Sequence, residues 1–230
     1  MPDSIYPANL PAGYPAYLGY VDGHWPTLPE LRVMFPAAHL IGLTVTGNTV
    51  DADGIDVEPG NPDAAAGADW VVRKLAAEPH HRPVIYASAL GTPGYGMHDI
   101  LAHLMTLQVP LTSVRLLSAH YGGEEHICGP GTCGLLPVTM DGTQWTDAFS
   151  GAGGALIDMS VVHDTFFETP SPPKKETMKL PPAPGDWGPT TTQYVDYQGT
   201  LYVVGPNGGN AIYMTKSTDG GAHWSTPKQL

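Results

Sequence analysis

Between Tyr14 and Phe167 the chain alternates short apolar runs with stretches in which apolar residues recur every third or fourth position. Runs that are apolar at almost every position belong to strands covered on both faces, and the longer spacing belongs to helices with one buried face. Alternating the two is the signature of a mostly parallel sheet built from βαβ units. The strand candidates are AYLGYVD (16–22), HLIGLTVTG (39–47), DGIDVE (53–58), RPVIYAS (82–88), VRLLSAHY (114–121), TQWTDAF (143–149) and ALIDMSVV (155–162). The clearest helix starts in NPDAAAGADWVVRKLAAE (61–78). Asn61 is placed to cap it, Pro62 to occupy its first position and Asp63 to sit at its positive end, with Trp70, Val71, Leu75 and Ala76 near one face. A second helix is expected over 97–108, burying Ile100, Leu101, Leu104 and Met105, and a short one over 28–35.

These elements occupy fewer residues than the roughly 250 of an eight-fold barrel. The predicted fold is therefore α/β, a reduced (β/α) barrel of the TIM type in which loops replace some helices. An open doubly wound sheet is the alternative, although no GxGxxG follows a strand. From Thr169 the pattern changes. TPSPPKKETMKLPPAPGDWGP (169–189) is proline-rich and reads as a linker, and 190–230 alternates β-formers with Gly-Asn turns, as a three- or four-stranded antiparallel meander does. The organisation expected is a barrel over 1–168, a linker over 169–189 and a small β module over 190–230.

Composition narrows the function classes. With 28 Gly and 24 Pro the chain is turn-rich, which argues against a helical bundle. Its 10 Lys+Arg against 22 Asp+Glu give a formal charge of -12, and no basic stripe appears, so nucleic acid is a poor partner. No stretch has the roughly 18 apolar residues of a membrane span. The start MPDSIYPANLPAGYPAY lacks the basic and apolar regions of a signal peptide. No cofactor-binding motif is present, and none is expected to be needed.

Candidate chemistry concentrates in ADGIDVEPG. Residues two apart in a strand share a face, so Asp56 and Glu58 lie on one side about 7 Å apart along the backbone. Pro59 bars helical geometry at Glu58 and places the pair at the C-terminal end of its strand, where α/β barrels form active sites. Close carboxylates resist double ionisation, so one retains a proton while the other stays charged, the division of labour that glycoside hydrolysis uses. Asp22 ends the first strand candidate and Asp158 lies in the last, giving acidic residues on three strands that a barrel would bring to one rim. A solvated or metal-binding strand end, or loop caps at Asp22 and Asp158, would account for the same residues without catalysis.

Two cysteines, Cys128 and Cys133, lie in HICGPGTC. Three readings stay open: a disulfide across the tight loop, two free thiols, or a zinc site completed by His120 and His126.

The set DGIDVEPG, RPVIYAS, TQWTDAF and IDMSVV, with an Asp on the first strand, resembles glycoside hydrolase family 25, the muramidases that cleave the glycan of bacterial peptidoglycan on a (β/α) barrel. Together with WPTLPELRVMFP and LLSAHYGGEEHICGPGTCG it is similar to a group of barrel-like proteins of actinobacteria and their phages. The resemblance covers residues 14–167. It implies a cell-wall glycosidase with Glu58 as general acid, Asp56 as a stabilising or base-like carboxylate, Asp22 as the first-strand Asp and Asp158 as the late-strand Asp. Trp25, Tyr86, Tyr121 and Trp145 become candidates for stacking on sugars. In the tail, Ser217, Asp219, Gly221 and Trp224 of STDGGAHW resemble an Asp-box hairpin turn, here a structural motif. With no leader, such an enzyme would be carried in a virion or released at lysis, or otherwise stay cytoplasmic. Residues 190–230 would join it to virion proteins or to a second copy. The competing reading is a non-enzymatic virion or wall-binding protein built on a degenerate glycosidase barrel.

Overall fold

Eight strands close a barrel in chain order: β1 (Pro2–Asp3), β2 (Ala16–Tyr20), β3 (His39–Thr44), β4 (Gly54–Val57), β5 (Val84–Ser88), β6 (Arg115–Ala119), β7 (Gly142–Ser150) and β8 (Leu156–Val162). The computed structural model describes residues 1–122, 124–168, 193–197, 200–206, 212–218, 223 and 225–229. Strands β1 to β6 are each parallel to their successor, and β8 runs antiparallel to both β7 and β1, which closes the ring. Every strand expected from the apolar pattern is present. β1 is the addition: two residues carry no period, and their strand character comes from pairing with β2 and β8.

Three helices coat this barrel: α1 (Leu28–Met34), α2 (Ala64–Ala77) and α3 (Met97–Thr106). The outward faces of β4, β5 and β6, through Ile55, Val57, Ile85, Ala87 and Leu116, pack with Trp70 and Val71 of α2 and with Ile100 and Leu104 of α3. Leu31 of α1 packs with Tyr17 of β2. Inside, Leu18, Ile41, Val84 and Leu117 form an apolar layer. A 3-10 turn, Asp164–Phe167, closes the N-terminal end of the parallel strands with Phe166, over which Arg115 lies 5.7 Å from the ring centroid. The polar interior positions lie toward the other end.

The helix details depart from expectation at three points. The cap of α2 is Asp63, extended at φ -73, whose carboxylate accepts from Ala66 N at 2.9 Å. Asn61 is engaged instead in the turn after β4, donating its N–H to Glu58 O at 2.9 Å. Met105 is 72% exposed, because the buried stripe Met97, Ile100, Leu101 and Leu104 already faces the barrel and the next residue rotates away by about 100°. Ala76 is exposed for the same reason, while Lys74 is buried. Three donors from α2 fix the β3–β4 loop: Arg73 Nη2 to Gly47 O at 2.8 Å, Trp70 Nε1 to Thr49 O at 2.6 Å and Lys74 Nζ to Val50 O at 2.8 Å. That loop takes the place of a crossover helix, and side chains rather than helix packing hold it.

The chain divides into two compact units, Met1–Ser171 and Pro172–Leu230. In the second, β9 (Gln193–Tyr197), β10 (Thr200–Pro206), β11 (Ile212–Ser217) and β12 (Lys228–Gln229) form an antiparallel meander in that order. The linker expected over 169–189, and Asp219, Gly221 and Trp224 of the Asp-box-like turn, lie outside the described residues. Among the described residues no helix is long and apolar enough to cross a membrane.

Candidate active site

Gly54 begins β4 where the backbone of β5 comes close, since a Cβ there would lie 2.4 Å from Val84 O. Alternation along β4 then turns Ile55 and Val57 outward into the helical layer and Asp56 inward. Asp56 is buried, 3% exposed, and its Oδ1 accepts no hydrogen bond. Glu58 follows at the mouth and is half-buried. The turn after it is closed by Asn61, whose side chain also bonds Asp56. The DxE pair thus sits at the C-terminal end of the parallel strands, in a cavity of about 340 Å³ that Tyr20, Asp22, Trp25, Thr46, Glu58 and Asn61 help to line.

Asp22, Asp56 and Glu58 line this space, and the charge of Asp158 acts on Glu58 from outside the lining. Asp3 and Asp158 are register partners across β1 and β8. Burial first, and then the charge of Asp158, push Asp3 well above the ordinary aspartate range. A hydrogen bond between the two raises Asp3 and lowers Asp158, so Asp3 holds the shared proton. Asp158 itself is raised by burial and by the Asp147 charge. Burial and the Glu58 charge push Asp56 up to about 8. Glu58 is also raised, by burial and by Asp158, against a hydrogen bond from Tyr86 that favours its charged form. Tyr20 on β2 has its phenol pushed strongly up by burial and by Asp3, Asp56, Asp158 and Glu58, so it remains a donor in their midst.

A neutral network supports the cluster. The single proton of the Tyr86 hydroxyl on β5 has two acceptors in reach, Glu58 and Gln144 Oε1 on β7; Tyr121 donates to the same Gln144 oxygen at 3.0 Å, and Gln144 Nε2 donates to Asp3 Oδ1 at 3.2 Å. Gln144 therefore joins the rim tyrosines to the Asp3–Asp158 pair and fixes its own amide orientation.

Of the residues expected to converge, Asp56, Glu58 and Asp158 do. Asp22 lines the same cavity, but its carboxylate is occupied. It accepts from Thr44 Oγ1 at 2.6 Å, Thr46 Oγ1 at 2.6 Å and Val45 N at 2.8 Å, and these bonds hold its pKa down. It pins the β3–β4 loop in the way an Asp caps a turn. The acid on the strand that actually opens the barrel is Asp3, because Asp22 follows the second strand, not the first. The proton of the DxE pair is also placed differently: the larger shift is on Asp56, the more deeply buried member, rather than on Glu58. Among the aromatic candidates, Trp25 is 54% and Tyr121 52% exposed, and Tyr86 is buried with its hydroxyl in the network. Trp145 packs edge-on against Phe149 and does not line the cavity.

Asp3, Tyr20, Asn61 and Gln144 were not singled out from the sequence as site residues. Tyr20 and Gln144 lie within strand candidates, and inward alternation from a known strand end would have found them. No family model, curated protein or solved structure matches the chain.

Proposed function

We propose that this barrel is a glycosidase that cleaves bacterial peptidoglycan or a related cell-wall polysaccharide, of the phage-lysin or virion-lysozyme type. The observation that carries the reading is the DxE pair itself: a buried Asp56 that keeps a proton to about 8 beside a half-exposed Glu58, at the open end of an α/β barrel. Between its two titrations the pair is a monoanion. The proton held on Asp56 passes to Glu58, the member within reach, which gives it to a glycosidic oxygen in the mouth. The negative charge left on Asp56 and Glu58 then faces the oxocarbenium-like carbon as the protonated leaving group departs, and a water adds to that carbon while its proton returns to the pair. Asp3 takes the first-strand place that the family resemblance gives to Asp22, and with Asp158 and Tyr20 it keeps the floor of the site acidic. Trp25 and Tyr121, exposed at the rim, offer faces for sugar rings.

A second reading has one observation in its favour. With Asp22 consumed by the β3–β4 loop, the barrel is a wall-binding or virion structural protein that retains the shape without turnover. Glu58→Gln separates the two: on the glycosidase reading it lowers reducing-sugar release from peptidoglycan about 100-fold or more. In the parent, kcat/KM is expected to follow a bell-shaped pH profile whose alkaline limb lies near 8, where the pair loses its last proton. Equal turnover by the variant and the parent excludes the carboxylate mechanism. No turnover by the parent at any pH, with wall binding retained, selects the second reading. On either reading the β module of the tail serves attachment, to virion proteins or to a second copy of the chain.

A further inference from the structure

Residues 120–141 join β6 to β7 without a helix, and backbone bonds tie the loop to the barrel. His120 N donates to Gln144 O at 2.9 Å, Cys128 N donates to Thr143 Oγ1 at 2.8 Å and Met140 N donates to Cys128 O at 2.9 Å. These anchors bring four donor side chains together. His120 Nδ1 lies 2.8 Å from His126 Nε2 and 3.3 Å from Cys128 Sγ, and His126 Nε2 lies 3.5 Å from Cys128 Sγ. Cys133 Sγ lies 2.7 Å from Cys128 Sγ. The ligand atoms of His120, Cys128 and Cys133 are all within 4.8 Å of one another, and His126 sits on the His120–Cys128 edge of that triangle.

We propose that His120, His126, Cys128 and Cys133 bind one zinc ion, as a structural site at the root of the β6–β7 loop. Two thiolates and two imidazoles are the donors that zinc takes in closed four-ligand sites, and the pair of thiolates balances its charge. Bond lengths of about 2.0–2.1 Å to nitrogen and about 2.3 Å to sulfur require donor–donor edges of roughly 3.3–3.8 Å in a tetrahedron. The two sulfur–nitrogen edges of 3.3 and 3.5 Å already have these lengths. The nitrogen–nitrogen and sulfur–sulfur edges must open by about 0.5–1 Å and His126, outside the mutually close group, must close on Cys133, movements that the exposed Pro-Gly-Thr stretch between the cysteines can supply.

A further contact points the same way. His126 Nδ1 bonds Glu124 O at 2.8 Å. A carbonyl can only accept, so the ring proton is on Nδ1 and the lone pair of Nε2 is turned toward the cluster, the outer hydrogen bond that metal-bound histidines make. A Cys128–Cys133 disulfide would use the sulfurs but leave two imidazoles aimed nitrogen-first at Cys128. Four protein ligands leave no open coordination position, so the ion does no chemistry of its own. Its consequence is positional. Tyr121 directly follows His120 and donates to Gln144 at 3.0 Å, so the clamp would hold a rim aromatic and the network beneath it. This inference selects the zinc reading among the three that the sequence left open at these residues, and it stands independently of the glycosidase reading.

Elemental analysis of the full chain, produced with zinc and purified without chelator, tests it. One zinc per chain is expected, and replacement by cobalt should give sulfur-to-metal charge transfer in the near ultraviolet with the intense visible bands of tetrahedral cobalt. Cys133 and His126 belong to the accessible part of the loop, so C133S and H126A should lose the metal while keeping the far-ultraviolet circular dichroism of the barrel. Zinc absent from the parent, or retained equally by both variants, overturns the proposal. So does a cobalt spectrum without the charge-transfer band, or resistance of the thiols to alkylation until a reductant is added, which marks a disulfide.

Discussion

Folding moves the Asp56 carboxyl from water to a site where one oxygen has no partner and Glu58 is its neighbour, and its pKa rises to about 8. In the unfolded chain an aspartate titrates near 3.9. Between those values the folded protein holds a proton that the unfolded chain has released, so stability must fall as pH rises from about 4 to about 8. Asp3, Glu58 and Asp158 shift in the same direction and steepen that fall. Asp56→Asn keeps the shape and removes the charge. It should therefore be more stable than the parent at pH 8, by up to a few kcal/mol, with the gap closing toward pH 4. Denaturant unfolding of both proteins at the two pH values measures this, and a variant no more stable than the parent at pH 8 would show that Asp56 is not held protonated. The same substitution should abolish turnover, the usual opposition between a stable site and an active one.

At the scale of elements, the close approach of β4 to β5 sets where Asp56 and Glu58 stand. A methyl group at position 54 would meet Val84 O at 2.4 Å and the side chains of Leu43 and Val84 at 2.7 Å. Gly54→Ala should push the strands apart, cost about 1–3 kcal/mol, and reduce turnover beyond what the lost stability explains, because the carboxylates move with the strand. A thermal melt and an assay well below the melting temperature distinguish the two effects. Turnover unchanged in a destabilised barrel would show that β4 can shift without consequence for the site. The strands could be read in the sequence because burial on both faces makes them apolar at nearly every position. That same property hides which residues point inward, and so Tyr20 and Gln144 stand inside legible strands without a sign that they belong to the site. Asp3 was hidden more completely: β1 exists only through its neighbours β2 and β8, and two residues have no pattern of their own. At Asn61 a local rule competed with a tertiary one. The N-cap preference was satisfied two residues later by Asp63, leaving Asn61 to the turn beneath Asp56.

At the scale of the molecule, the second unit is a small four-stranded sheet. On β11, Thr215 and Ser217 are buried while Lys216 between them is exposed, so the strand has a covered face, yet these two covered residues are polar. Much of the order at this point comes from hydrogen bonds to Ser225, whose O accepts from Thr215 Oγ1 at 2.6 Å and whose Oγ accepts from Lys216 N at 3.0 Å. A four-stranded meander of about 40 residues is near the lower limit for independent stability. One edge is the two-residue strand β12 and the other is β9, and such edges can pair with a strand from another chain. The proline-rich composition of 169–189 suits a spacer more than a docking segment. On the attachment reading of the tail, a sheet with such edges should gain its remaining stability from a partner: a second copy of the chain or a protein of a virus particle. Deleting residues 170–230 should then leave the melting temperature of the barrel within about 2 °C of the parent and abolish self-association or particle incorporation, read by light scattering and by co-sedimentation with particles. A barrel that melts markedly lower while assembly persists would show instead that the meander serves only to stabilise the barrel.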